Sequence, residues 1–110
     1  MDTNITAPTA ISQALALARA CGRFDPQRIE KAARLLADRR TVILPDGRID
    51  FPSETRAMFY LANVRDCDCP DHIKGRHICA HIIGAMVLRR AAEIETTCRM
   101  LAGEVAGLIQ

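Results

Sequence analysis

CDCPDHIKGRHICAH, residues 67–81, is the stretch of sequence from which the fold of this chain can be argued. It holds two close pairs of soft metal ligands, Cys67 with Cys69 and Cys79 with His81, separated by nine residues. A structural zinc ion takes four nitrogen or sulfur ligands in a tetrahedron, and three Cys with one His is a usual set. Three thiols in a polar stretch do not resemble a hydrophobic core. We therefore predict one zinc ion (Zn2+) bound by these four side chains.

Two further histidines, His72 and His77, lie in the same stretch and are alternative fourth ligands. We favour His81 because Cys79-x-His81 repeats the spacing of the first pair, and we expect His77 to be a loop or cap residue. An iron–sulfur cluster is the alternative to zinc, but such clusters usually take four Cys. Four protein ligands leave zinc no open position for water, so the predicted site is structural and non-catalytic.

The two ligand pairs also predict local structure. Residues i and i+2 share a face of an extended strand, so Cys67 and Cys69 are expected to continue the preceding strand. Residues 66–77 combine Asp, Cys, Pro, Gly and His, which predicts a loop. Helical periodicity resumes at Ile78, and Cys79 and His81 are expected in the first, irregular turn of that helix, where the N-terminus favours a thiolate.

Residues before the zinc loop predict two helices followed by a sheet. The first helix opens at Pro8 and ends at Gly22, and Asp25 followed by Pro is typical of the start of a second. Residues 42–51 predict a hairpin around Gly47, and residues 58–65 alternate as a third strand. The predicted fold class is α+β: a small zinc-stabilised domain with two N-terminal helices, a three-stranded antiparallel sheet, a zinc loop and a long C-terminal helix.

The order Cys-x-Cys, spacer, Cys-x-His resembles the SWIM zinc finger. Members of that family often follow the second Cys with Pro-Asp, as Cys69-Pro70-Asp71 does here. They also place a strand before the first pair, matched by residues 60–68, and an Ile-, Leu- and Val-rich helix after the His, matched by residues 81–88. Many members carry a Lys before the His, where this chain has Ala80. The resemblance covers roughly residues 41–92 and implies a non-catalytic module with DNA-binding or protein-interaction roles.

This resemblance divides the chain into three parts. Residues 1–40 are expected to be an N-terminal helical segment, residues 41–92 the SWIM-like domain, and residues 93–110 a C-terminal helical extension. The whole chain has 110 residues and a mass of 12.1 kDa, which suits one small domain.

Composition excludes several classes of protein. Hydrophobic residues make up 49% of the chain and charged residues 25%, which is typical of a globular protein and argues against general disorder. No stretch of 18 residues lacks a polar interruption, so no membrane span is expected. Asp2 precedes any apolar run and Arg19 interrupts the first one, so we expect no secretory signal and a cytoplasmic location. Thiols stay reduced there, and Cys21 and Cys98 are expected to be core thiols.

The formal net charge of +2 is too small to identify a nucleic-acid-binding protein by itself. We predict a modest DNA-contact surface made of the basic residues around the metal loop, namely Arg65, Lys74, Arg76, Arg89 and Arg90. Three acidic residues, Asp66, Asp68 and Asp71, crowd the same loop and would repel phosphate. The alternative is a protein-interaction adaptor without affinity for nucleic acid, in which these cations only balance the negative charge of the site.

The C-terminal helix carries a coiled-coil seam over four heptads. Apolar or small residues alternate spacings of four and three at Ala80, Gly84, Val87, Ala91, Ile94, Cys98, Leu101, Val105 and Leu108. One straight helix of this length is longer than a domain of this size can cover. It is expected either to bend near residues 93–97 and pack on the first two helices, or to pair with a second copy as a homodimer.

Overall fold

The computed structural model describes residues 8–75 and 77–109 of the chain. The predicted α+β class is confirmed, with a three-stranded antiparallel sheet and a long C-terminal helix. In chain order the elements are α1 (Pro8–Cys21), α2 (Pro26–Ala37), β1 (Val42–Ile43), β2 (Ile49–Pro52), β3 (Phe59–Ala62), α3 (Pro70–Gly75) and α4 (Ala80–Ile109).

The two N-terminal helices begin and end at the predicted signals. Gly22 follows α1 with φ of 69°, a left-handed conformation that glycine adopts without the steric cost of a side chain. Asp25 caps α2, since its carboxylate accepts a hydrogen bond from the backbone N–H of Arg28 at 3.0 Å. Helix α2 ends at Ala37, where Thr41 donates a hydrogen bond to the carbonyl of Leu35 at 2.6 Å.

The sheet has the order β1-β2-β3. Ile43 pairs with Ile49 around the turn, in which Gly47 has φ of 89°, and Phe51 pairs with Tyr60. One face of the sheet is buried, and it carries Ile49, Phe51, Tyr60 and Ala62. Strand β3 ends at Ala62, earlier than the predicted residue 65, because the chain turns there toward the metal ligands.

Helix α4 is the element on which the rest of the domain packs. Its first half contacts α1, α2 and β3, and most of its side chains up to Ala91 are buried. One group of buried side chains joins α4 to the sheet and the cysteine ligands, and a second group joins α4 to α1 and α2. Partly buried Ile11 and Leu36 pack against both groups. The sheet and the four candidate ligands therefore share one continuous core with the helices.

The second half of α4 leaves the domain. The helix runs without interruption over 30 residues, and Leu101, Val105 and Leu108 in its second half are exposed, so the alternative in which this segment packs on the first two helices is wrong. Cys98 is exposed, as is Cys21 on α1, and the prediction of two core thiols is wrong because neither helix face is covered at those positions. The exposed continuation of the α4 seam, which we call the distal stripe, consists of Cys98, Leu101, Val105 and Leu108.

Gly84 lies where α4 comes closest to the sheet. A Cβ atom at this position would lie 3.0 Å from Cζ of Phe51, a ring that is fully buried.

We expect Gly84→Val to lower the free energy of unfolding by about 1–3 kcal/mol, because the added methyl groups have no free volume. Gly103 is the matched control, since a Cβ there meets nothing within 4 Å. Gly103→Ala should raise the free energy of unfolding by up to about 1 kcal/mol.

Denaturant unfolding of metal-loaded protein, followed by circular dichroism, measures both changes. Equal effects of the two substitutions would contradict the close approach of α4 to the sheet.

Candidate metal centre

The first ligand pair lies beside strand β3 after a tight turn. The side-chain oxygen of Asn63 accepts hydrogen bonds from the backbone N–H groups of Arg65 and Asp66, both at 2.8 Å. The chain thereby reverses, and Cys67 forms an antiparallel bridge with Ala62. The expectation that this pair simply continues the strand is therefore wrong. Cys67 lies next to β3 instead, because the Asn63 turn folds the chain back.

Asp68 fixes the extended conformation between the two cysteines. Its carboxylate accepts a hydrogen bond from the backbone N–H of Leu61 at 2.9 Å, and its own backbone N–H lies 3.4 Å from the carbonyl oxygen of Leu61. Asp68 is exposed while Cys67 and Cys69 on either side of it are buried. The two thiols therefore point to the same side, as the spacing predicts.

Residues 70–75 form the short helix α3, although the sequence pattern predicts only a loop there. Pro70 occupies the first helical position, and the carbonyl of Cys69 accepts the first helical hydrogen bond, from Ile73 at 3.0 Å. Proline is favourable there because the amide it lacks would have no partner in the helix. No α3 residue is buried, so apolar packing could not have predicted this helix.

The second ligand pair straddles the start of α4. Cys79 precedes the first helical residue, and its carbonyl accepts a hydrogen bond from Ile83 at 3.1 Å. His81 lies in the first turn. The expected position of this pair at the helix N-terminus is confirmed.

The two pairs meet in one buried group. The three sulfur atoms and one imidazole nitrogen of Cys67, Cys69, Cys79 and His81 all lie within 4.8 Å of one another, and all four residues are buried. The backbone N–H of Cys69 lies 3.4 Å from the Cys67 sulfur. The sulfur of Cys79 lies 3.8 Å from Nδ1 of His81. This group can hold a metal ion.

Two aromatic rings hold the imidazole of His81. The ring centroids of Phe51 and Tyr60 lie 5.4 and 5.3 Å from the centroid of His81, and both rings are tilted against it. These rings come from neighbouring strands, so the sheet orients the histidine. The prediction of His81 as the histidine of the group agrees with this geometry.

The alternative histidines have other partners. Nδ1 of His72 lies 2.9 Å from the backbone carbonyl oxygen of His77, and its Nε2 lies 3.3 Å from the carboxylate of Asp66. Nε2 of His77 lies 2.7 Å from the carboxylate of Asp71. Neither histidine belongs to the ligand group found among the described residues.

The thiols differ strongly in acidity before any metal is bound. A hydrogen bond from the Cys67 thiol, with smaller contributions from His81 and the Ile82 amide, lowers the pKa of Cys79 to about 3. The same contact and burial raise the pKa of Cys67, and burial raises the pKa of Cys69. Because a metal binds Cys as thiolate, its binding would release protons from Cys67 and Cys69, whose pKa values are raised.

An ion pair links α2 to the segment between the two ligand pairs. Arg28 on α2 donates two hydrogen bonds to the carboxylate of Asp71, at 3.0 and 3.1 Å, and also lies 2.7 Å from Nε2 of His77. Through its guanidinium, Arg28 holds the pKa of Asp71 well below its usual range. No local sequence pattern marks Arg28, because it precedes Asp71 by 43 residues.

The predicted nucleic-acid contacts do not form one cluster. Arg65, Arg89 and Arg90 line a single groove, whereas Lys74 is exposed on α3 and outside it, and Arg76 lies outside the described residues. We call this the α1–α4 groove; its volume is about 810 Å³. Its other side chains are mostly apolar and include Leu17, Phe24, Val64, Ile83, Met86 and Val87.

Comparisons with known proteins leave the family open, since no protein-family model, curated protein or solved structure matches the chain. The ligand group alone does not identify a SWIM finger, so that assignment stays a prediction. Among the described helices, none is both long and apolar enough to cross a membrane.

We expect the purified protein to carry about one metal ion per chain. Cys79→Ser and His81→Ala should each lower this content severalfold, because each leaves the buried group with three ligands. Cys98→Ser removes an exposed thiol and serves as the matched control, and His77→Ala tests the alternative histidine. Both should keep the metal.

Elemental analysis of the purified variants measures these contents. Metal-free wild-type protein, or loss of metal in His77→Ala but not in His81→Ala, would overturn the assignment.

Proposed function

We propose that the chain is a non-catalytic zinc-binding module that binds a protein partner in the α1–α4 groove. Zinc is the metal that best suits three thiolates and one imidazole. A sulfur about 2.3 Å and a nitrogen about 2.0–2.1 Å from a tetrahedral centre lie about 3.6 Å apart, which is close to the 3.8 Å between Cys79 Sγ and His81 Nδ1. With four ligands the zinc has no position left for water, so its role is to hold the loop and α4 together. The similarity to SWIM fingers supports a module of this kind.

The distribution of charge favours a protein partner over a nucleic acid. Six of the arginines in the described ranges form ion pairs with acidic side chains of the same chain. Arg90, for example, lies 3.5 Å from Glu93. These six are half of the twelve arginines in the described ranges, and their pairing reduces the positive charge available to a phosphate backbone.

The groove itself is the observation that carries the proposal. Leu17 is 54% exposed at its edge, and Phe24 and Met86 are only partly buried, so apolar surface faces solvent in a concave site. Arg65 and Arg89 place positive charge at the edge of this surface, where Arg90 pairs with Glu93. An amphipathic helix with apolar residues on one face and acidic residues beside them fits such a groove.

A fluorescently labelled, designed helix with Leu on one face and Glu on the other tests this proposal. We expect saturable binding by polarisation, and a loss of about tenfold or more in affinity for Leu17→Glu, which places a charge in the apolar groove. Met100→Glu adds the same charge at an exposed site outside the groove and should bind as the wild type does. No binding, or equal binding by both variants, would overturn the proposal.

DNA binding is the second candidate, and one observation favours it. Within the described ranges, neither Arg65 nor Arg89 forms an ion pair, so both guanidinium groups are free to contact phosphates from the same groove. If they do, affinity for random duplex DNA should fall with salt by a log–log slope of about −0.9 per contact.

The double variant Arg65→Ala/Arg89→Ala should then flatten that slope by up to about 2, and weaken all sequences alike. Arg40→Ala is the matched control, since Arg40 is paired with Asp38 at 2.9 Å. Fluorescence anisotropy on duplex and single-stranded oligonucleotides measures the slope. If zinc-loaded protein binds neither duplex nor single-stranded oligonucleotides at low salt, DNA binding is excluded.

A further inference from the structure

The segment between the two ligand pairs, residues 70–78, is not held in place by apolar packing. We call this segment the spacer. None of its described residues is buried, and Ile73 and Ile78 are 60% and 45% exposed. Segments with few buried apolar contacts open locally at a small fraction of the free energy of global unfolding. The spacer therefore depends on polar contacts to stay in place beside the ligand group.

One side chain from outside the metal loop contacts both ends of the spacer. Asp71 is the second residue after Cys69, and His77 is the second residue before Cys79. The guanidinium of Arg28 donates hydrogen bonds to both carboxylate oxygens of Asp71 and lies 2.7 Å from Nε2 of His77. The same nitrogen of His77 lies 2.7 Å from the Asp71 carboxylate. These three groups join the chain just after the first ligand pair to the chain just before the second.

Arg28 is itself fixed in the first turn of α2. Its backbone N–H donates to the carboxylate of Asp25, and one of its guanidinium nitrogens lies 3.8 Å from that carboxylate. The next residue, Ile29, is 3% exposed and belongs to the buried group that joins α2 to α4. The spacer is thereby anchored to the packed core through one side chain of α2.

The spacer also holds His77 from its own side. A Cβ atom on residue 75 would overlap the imidazole, so Gly75 lets the ring lie directly against the backbone of the spacer. Nδ1 of His72 lies 2.9 Å from the backbone carbonyl oxygen of His77. The backbone of His77 is thus held by His72, and its ring is held by Arg28 and Asp71.

We propose that Arg28 is a positioning residue of the metal centre, which holds the two ends of the spacer together and thereby slows the release of the metal. This inference rests on the zinc binding proposed above. It is independent of the α1–α4 groove, which Arg28 does not line.

Opening of the spacer is the expected route by which a bound ion becomes accessible. All four ligands are buried, so an ion leaves only after the site has opened to water or to a competing chelator. Cys67 is bridged to Ala62 of β3, and His81 lies in α4 against two rings of the sheet. The chain that follows Cys69 and precedes Cys79 has no buried side chain of its own, so it should open first.

Transfer of zinc from the loaded protein to an excess of the coloured chelator 4-(2-pyridylazo)resorcinol measures the release. Because opening precedes capture of the ion, the rate should become independent of chelator concentration at high excess. Arg28→Ala should raise this limiting rate about tenfold, since two charge-assisted hydrogen bonds are lost. Arg28→Lys should restore part of the slow release, because lysine pairs with a carboxylate as a point charge and lacks the planar fork of donors.

Arg34→Ala is the matched control for a general loss of stability. Arg34 lies on the same helix and donates two hydrogen bonds to the carboxylate of Glu54, at 3.0 and 3.3 Å, but Glu54 lies outside the spacer. Denaturant unfolding measures how far each substitution destabilises the fold. Arg34→Ala should release zinc at the wild-type rate, even where it lowers the free energy of unfolding as much as Arg28→Ala does.

Two further variants test the contacts through Asp71 and His77. Arg28→Ala/Asp71→Asn should release zinc no faster than Arg28→Ala alone, because both substitutions break the same ion pair. Gly75→Ala should also speed release, because the added methyl group displaces the ring of His77. All of these variants keep the four ligands and should be purified with about one zinc ion per chain.

Release from Arg28→Ala at the wild-type rate, or an equal acceleration by Arg34→Ala, overturns the proposal. In either case zinc-loaded wild-type protein leaves the proposed zinc binding intact, whereas metal-free wild-type protein overturns both. Arg28→Ala should bind the designed Leu/Glu helix as the wild type does, so a failure of the function proposed for the groove is observed separately.

Discussion

Everything in this domain depends on bringing four ligand atoms, from two segments separated by nine residues, within 4.8 Å of one another in a buried site. A small chain with few aromatic residues has a limited core, and a structural metal can contribute as much free energy as a whole domain's folding. The sheet supports the ligand group from one side, and α4 supports it from the other. Phe51 connects them, since its ring contacts His81 and also leaves no room for a side chain at Gly84.

The sequence was sufficient to predict those parts of the fold that short-range rules govern. Gly22, the Asp25 cap and Gly47 each act within a few residues, and the helices and the hairpin begin or end where these residues place them. The ligand group could also be anticipated, because Cys-x-Cys and Cys-x-His are chemically specific patterns. Prediction failed where an outcome depended on contacts distant in sequence. Arg28 joins Asp71 only after α2 has packed near the metal loop, and nothing local indicates that pair.

The errors at Cys21 and Cys98 have the same origin. Periodicity shows that a helix has an apolar face, but it does not say what covers that face. In α4 one regular seam is buried in its first half and exposed in its second, although the sequence pattern is the same throughout. The electrostatic picture was likewise incomplete, because the folded structure alone brings Arg19, Arg28 and Arg34 to their acidic partners.

The continuity of α4 connects the metal site to a distant part of the molecule. His81 lies in the first turn of the helix and Leu108 in its last, which are about 40 Å apart along one helix. The ligands and the packing of residues 80–91 against α1, α2 and β3 hold the near end of this helix, and its far half extends from that support. A change of about 5° in the direction of the held end would move the far tip by about 3.5 Å. The support at one end thereby sets where the other end points.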